Sequence, residues 1–259
     1  MMTVYICKDS FEGILCGVYD AWMSRRGHAN VRLETEGQGG TMELFCEYQE
    51  VPVEEEKTEK VVRSVRTRIS EAAYEAVYKA SLSRDPDRAD RIYRFLIYGF
   101  HYGAAVTDML QIPEVFHIFE MCRYLDNEAH LFKEFLRFVE MEGGFLASRI
   151  GPKNDVLILV APHFADRLPE ENWLIYDEKR KKAAIHPAGR PWFLMDLTST
   201  EWEESLKKAE EEDGYETLWK VFRKSIAITE RKNPVCQRNH MPLRYRVFMP
   251  EFKEKLTDD

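Results

Sequence analysis

The spacing of apolar residues changes along the chain, and the changes mark its elements. Thr3 to Cys7 is a short apolar run, the length of one buried strand. Phe11, Leu15, Val18 and Trp22 then recur at helical spacing, after Asp9 and Ser10, either of which can cap a helix. Gly13 and Gly17 lie four apart on that helix and permit close backbone approach. Asn30 to Leu33 and Met42 to Val51 read as short strands joined by the Gly-rich turn 37–40. That turn is not a P-loop, because it lacks the closing G-K-[ST] and no helix follows it directly. After an acidic stretch from Val53 to Lys60, the pattern predicts one long helix from about Thr58 to Ser83. Its buried positions are Val61, Val65, Ile69, Ala72, Ala76 and Leu82, and Arg63, Arg66 and Arg68 crowd its first half. Asp85-Pro86 opens another helix, with Ile92, Phe95, Leu96 and Gly99 on its apolar side and an aromatic, glycine-rich end at Tyr98–Gly103. Pro113 suits the first turn of the next, whose stripe is Val115, Phe116, Phe119 and Cys122.

From about Phe132 the pattern turns to β. Phe135–Val139, Gly144–Arg149 and Asp155–Val160 read as successive strands, divided by turns at 142–144 and 151–154. A short helix is expected over Ala161–Pro169. Trp173–Tyr176 and Lys182–His186 form a hairpin around the charged segment 177–181, and Trp192–Met195 adds a strand. Thr198 to Glu201 fits a capping box, and Tyr215, Leu218, Trp219, Phe222 and Ile226 make an amphipathic helix near the end. The expected class is α+β: a helical N-terminal half packed with an antiparallel β-meander, then the C-terminal amphipathic helix and an extended polar arm. Residues 1–259 read as one unit, with an approximate division into a mainly helical 1–131 and an α+β 132–259.

Composition narrows the function. The formal net charge of −8 argues against non-specific coating of DNA, although a local basic groove remains compatible with it. The five cysteines are scattered, with no C-x-x-C pair, so neither a disulfide framework nor a zinc ribbon is expected, and a reducing cytoplasm is the simplest home. The C-x-x-x-C-x-x-C triad of a radical SAM cluster is absent too. The opening residues lack a basic region followed by a long apolar run, and no apolar run reaches spanning length; no signal peptide and no membrane partner are expected. Glu128 and His130 are two apart, which a helix does not bring to one face, so no metal pair and no cofactor are expected.

Candidate chemistry concentrates in two places. The first is the polar stretch Glu230–Glu251. Its prolines at 234, 242 and 250 rule out one continuous helix, and Arg231, Lys232, Arg238, Arg244 and Arg246 supply cations between terminal acids. Arginine offers a rigid donor fork for phosphate, Asn and Gln can pair with base edges, and His and Tyr can stack. The candidate nucleic-acid contacts are therefore Arg231, Asn233, Gln237, Arg238, Asn239, His240, Arg244, Tyr245 and Arg246. The alternative is a C-terminal clasp whose arginines pair with the chain's own acids. The second place is His163, Asp166 and Arg167, placed by the pattern just after a strand, at the mouth of a sheet. A His, a carboxylate and a guanidinium there could perform acid–base work; the alternative is a helix end with local ion pairs.

Several stretches resemble a bacterial family of DNA metabolism proteins. They are Asp9–Cys16, Phe135–Phe138, Leu157–Leu168 with its His-Phe-Ala-Asp-Arg element, Trp173–Arg180, and Arg231–Tyr245 ending in Met-Pro-Leu-Arg-Tyr. They run in order across nearly the whole chain. Members are encoded beside a radical SAM protein of DNA repair or modification, and some are fused to a uracil-DNA glycosylase domain. With the chain ending at Asp259, soon after the arm, that domain is expected to be absent. The resemblance implies a role in DNA repair or modification and a radical SAM partner, but no reaction. The leading expectation is a DNA-binding accessory protein acting through the arm, with Arg63, Arg66 and Arg68 extending the surface. The alternatives are an enzyme on DNA ends or nucleotides using His163, Asp166 and Arg167, and an adaptor without nucleic-acid contact.

Overall fold

The computed structural model describes residues 2–37, 43–141, 143–198 and 233–249, with isolated positions at 204, 206, 208, 209, 225 and 252. They fall into two units, Met1–Asp126 with Lys153–Asp155, and Asn127–Pro152 with Val156–Asp259. The turn at 38–40, positions 199–201 of the capping box, the amphipathic helix over 215–226 apart from position 225, and Arg231 and Lys232 lie outside the described residues.

In the first unit β1 (Met2–Cys7) is the middle of three parallel strands, flanked by β2 (Val31–Thr35) and β3 (Cys46–Val51). Parallel neighbours need a crossover instead of a tight turn, and α1 (Phe11–Met23) supplies it between β1 and β2. Ser10 caps α1, its hydroxyl accepting from the Gly13 N–H at 3.0 Å. The two glycines do what their spacing suggests. A Cβ on Gly13 would lie 2.3 Å from the Lys8 carbonyl oxygen, and one on Gly17 would lie 2.2 Å from Cys7 Sγ.

The single helix expected over 58–83 is two helices, α2 (Glu55–Arg68) and α3 (Glu71–Ser81). Ser70 makes the break. Its backbone is extended, and its hydroxyl accepts from the Ala73 N–H at 3.1 Å, an arrangement that competes with helix continuation. The restart turns the buried stripe to Ala73, Ala76, Val77 and Ala80, and leaves Ala72 exposed. Next come α4 (Arg88–Tyr102), ended by Gly103 at φ +63°, and α5 (Pro113–Phe135). Ile14, Leu15, Leu33, Val65, Ile92, Phe95, Leu96 and Ile118 form part of the core of this unit. Lys153–Asp155 belongs here because Asn154 Oδ1 accepts from the Arg84 N–H and the Asp155 N–H donates to the Leu82 carbonyl, both at 2.9 Å.

The second unit holds a five-stranded sheet in sequential order: β4 (Val139–Met141), β5 (Phe145–Ile150), β6 (Trp173–Asp177), β7 (Lys182–His186) and β8 (Phe193–Asp196). The α+β class holds, but the meander is mixed, because β5 and β6 run parallel while the other pairs are antiparallel. The cause is the segment 155–160, expected as a strand, which begins helix α6 (Leu157–Arg167) and makes the crossover. Val156, Leu157, Val160, Ala161 and Phe164 are buried at helical spacing. A continuous apolar run leaves helix and strand undecided, and Phe164 extends the helical stripe. The strand expected from Phe135 is also corrected. Leu125, Ala129, Phe132 and Leu136 continue one buried helical stripe, and β4 starts only at Val139.

β6 is buried along its whole length, as befits a strand covered on both faces. Trp173 stands opposite His186 on β7, their rings stacked at 5.0 Å, and His186 Nδ1–H donates to the Glu171 carbonyl at 2.9 Å. The β6–β7 turn is fixed by Asp177, whose Oδ1 accepts from the Lys179 and Arg180 N–H groups. Among the described residues no helix is long and apolar enough to cross a membrane.

Candidate nucleic-acid interface

The polar stretch folds locally as two short helices, α7 (Pro234–His240) and α8 (Leu243–Arg246), not as an extended arm. The prolines explain both the helices and the break. Pro234 takes the first helical position, where its missing N–H costs nothing, and Pro242 stands just before α8. Asn233 caps α7, its Oδ1 accepting from the Cys236 N–H at 3.0 Å. At the other end His240 Nδ1 donates to the Cys236 carbonyl at 2.9 Å.

The two helices differ in what they do with their side chains. α7 buries none of its residues, so Gln237, Arg238, Asn239 and His240 all face solvent. α8 is an anchor. Tyr245 is 2% exposed and packs edge-on against Phe132 at 4.9 Å, with Phe135 at 6.0 Å. Arg244 places Nη1 3.0 Å from the Glu128 carboxylate, donates to the Tyr245 hydroxyl, and lies 4.6 Å over the Tyr245 ring. Burial pushes the Tyr245 phenol above its ordinary pKa; the Arg244 guanidinium opposes the rise and Glu128 adds to it. Arg246 donates from Nε to the Met241 carbonyl at 3.3 Å and lies 4.7 Å over the Phe252 ring. The nine candidate residues thus divide. Gln237, Arg238, Asn239 and His240 are exposed on α7, Asn233 caps it, Tyr245 and Arg244 hold α8 against Phe132 and Glu128, and Arg246 braces the segment internally at the Met241 carbonyl. Arg231 lies outside the described residues.

Glu128, which its spacing from His130 keeps from forming a metal pair, has another role. It sits on the buried stripe of α5 at 3% exposure, beside Leu125 and Phe132. A carboxylate on such a stripe calls for a cation, and Arg244 is that cation. His163, Asp166 and Arg167 sit on the C-terminal half of α6, not at the end of a strand. All three are exposed, opposite the buried face of that helix. Asp166 is one turn from His163, yet among the described residues no hydrogen bond or ion pair joins any of the three to another or to the α7–α8 segment. Arg149, a possible partner for Asp166, instead places Nη1 3.2 Å from Glu178 Oε2.

Comparison with known proteins adds a family. A model described as a domain of unknown function, DUF4130, matches residues 86–251, more than half of the chain. The chain belongs to that family. The DUF4130 match opens just before α4 and closes just after α8, so α6, Glu128 and both short helices fall within it. β1 to α3 precede it. No curated protein and no solved structure matches the chain.

Proposed function

We propose that this DUF4130 protein is a DNA-binding accessory subunit in DNA repair or modification, working with a radical SAM partner. α7 is the contact surface. The observation that carries this reading is the exposure of Gln237, Arg238, Asn239 and His240 on a helix with no buried face, in a segment from Asn233 to Met249 without one acidic residue. A helix that buries none of its residues has no core to serve, and beside the exposed Val235 its polar side chains are open to a partner. In a chain of net charge −8 an acid-free segment is also where an anion meets least repulsion. The amides and guanidinium of α7 are the groups that pair with base edges and phosphates. The partner and the repair role come from the resemblance described above. A second reading, an adaptor whose arm serves only proteins, is favoured at one residue, since Arg244 already pairs with Glu128.

Fluorescence anisotropy with single-stranded, duplex and uracil-containing oligonucleotides, at low and moderate salt, tests the proposal. Binding should weaken as salt rises. Arg238→Ala should lower affinity at every sequence and reduce the slope of log affinity against log salt by about one. Absence of binding at low salt, with and without the radical SAM partner, would sink the DNA reading and leave the adaptor.

A further inference from the structure

We propose that a groove between α1 and α2 in the first unit is a nucleotide site, separate from α7. Its volume is about 380 Å³, within the range of roughly 300–1,000 Å³ typical of small-ligand pockets. One wall is the α1 face carrying Tyr19, Trp22 and Met23, and Phe100 of α4 closes it, edge-on to Trp22 at 5.1 Å. The facing wall is α2, with Val61 and a row of polar side chains. Lys60, Ser64 and Arg68 stand at four-residue steps, which a helix stacks on one face.

This juxtaposition selects a class of ligand. A greasy side chain would suit the aromatic wall and leave the cationic row unused; a bare anion would do the reverse. A flat aromatic ring carrying a phosphate uses both, with the base against Trp22 and Tyr19 and the phosphate along the Lys60–Arg68 row. Met23, 56% exposed, lines the same groove, and such a flexible side chain can adapt to a ring lying beside it. The two cations differ in readiness. Lys60 is held by Glu56 at 2.6 Å, whereas Arg68 is exposed and makes no ion pair among the described residues. Arg68 is therefore the principal phosphate contact and Lys60 the lesser one. Arg66, also on α2, is engaged elsewhere, with Glu71 at 3.0 Å and the Tyr74 ring at 3.9 Å.

The site stands apart from the DNA reading of α7, and one titration series separates them. Isothermal titration would compare dAMP, deoxyadenosine, inorganic phosphate and a 5′-phosphorylated five-residue oligo-dA on the full chain. dAMP should bind more tightly than deoxyadenosine or phosphate, because each of those keeps only one wall. Arg68→Ala, an exposed change that leaves the fold intact, should weaken dAMP by at least about tenfold, the worth of a charge-assisted hydrogen bond. Lys60→Ala should weaken it less, and Arg238→Ala in α7 should leave it unchanged. In the Arg238→Ala background, which removes the α7 contribution, oligo-dA binding better than dAMP would identify the occupant as a strand end; equal or weaker binding would identify a free nucleotide. No binding of dAMP or oligo-dA at millimolar concentration overturns the site. So does binding indifferent to Arg68→Ala, or binding lost with Arg238→Ala, which would put the nucleotide at α7.

Discussion

Truncating Tyr245 to alanine separates an anchored arm from a loosely held one. The ring is 2% exposed, 4.9 Å from Phe132 and 6.0 Å from Phe135. Removing a buried aromatic ring costs about 3–5 kcal/mol, of which each aromatic pair supplies about 0.5–1.5. That figure is a ceiling here. Tyr245 is the one buried residue of α8, and so small a contact can undock instead of enclosing a cavity, so the loss is capped at the free energy of undocking. Two assays read the two cases. If the second unit depends on the arm, the melting temperature should fall by about 10 °C, at roughly 2–4 °C per kcal/mol for a protein of this size. If the arm only undocks, melting should change little, but trypsin should cut after Arg238, Arg244 and Arg246 much faster than in the parent. Tyr245→Phe keeps the ring and loses only the hydroxyl that accepts from Arg244, so it should cost about 1 kcal/mol. Unchanged melting together with unchanged proteolysis in Tyr245→Ala would falsify the anchor, and with it the division between α7 and α8.

The cysteines should react in order of exposure. Cys236 is exposed, while burial pushes Cys7 up to about 12 and Cys122 up to about 11, so iodoacetamide on the native protein at pH 8 should label Cys236 well before either, read by peptide mass spectrometry. Stability should fall in alkali. The folded pKa of Cys7 lies above its ordinary value near 9, and that of Tyr93 is pushed up to about 12, so the folded state holds these protons longer than the unfolded one. Their contribution is complete below pH 9 and is lost as the pH rises through about 12; urea midpoints that stay flat between pH 8 and 10.5 would contradict this. Gly17→Ala should cost about 1–3 kcal/mol in urea unfolding because its Cβ meets Cys7 Sγ. Cys7→Ala should recover part of that loss, and strictly additive effects would argue against the contact.

Much of this architecture was legible where a local rule decides. Ser10 before apolar residues at steps of three and four gives a cap and a helix, and Gly13 and Gly17 on one face give close approach to Lys8 and Cys7. The hairpin of β6 and β7 follows from two short apolar runs around a charged turn. The misreadings share one physical origin: a local pattern with two solutions, settled by tertiary contacts. The run Val156–Ala161 suits a buried strand or a buried helix, and as a helix it makes the crossover between the parallel strands β5 and β6. Ser70 is an ordinary helix residue until its hydroxyl finds the Ala73 N–H. Glu128 was legible in principle, because a carboxylate in phase with Leu125 and Phe132 must meet a cation. Composition alone could not name Arg244 as that cation among the arginines of the arm.

The same ambiguity governs the functional reading. In the sequence, the arginines between Glu230 and Glu251 form one cationic stretch, and a clasp and a DNA contact compete for all of it. In the fold they need not compete, because the clasp contacts lie on α8 and the proposed DNA contact is confined to α7. Tyr245 packs on Phe132 and Arg244 pairs with the buried Glu128, so these two side chains serve the clasp. One turn earlier, Met241 and Pro242 interrupt the helix, and Gln237, Arg238, Asn239 and His240 meet no core. The anchored α8 supports α7, since an exposed helix of seven residues has little stability of its own. Loss of DNA binding in Tyr245→Ala would therefore carry no information about base contacts, whereas loss in Arg238→Ala at unchanged melting temperature would. That asymmetry makes α7, and not the whole arm, the surface on which the DNA reading stands or falls.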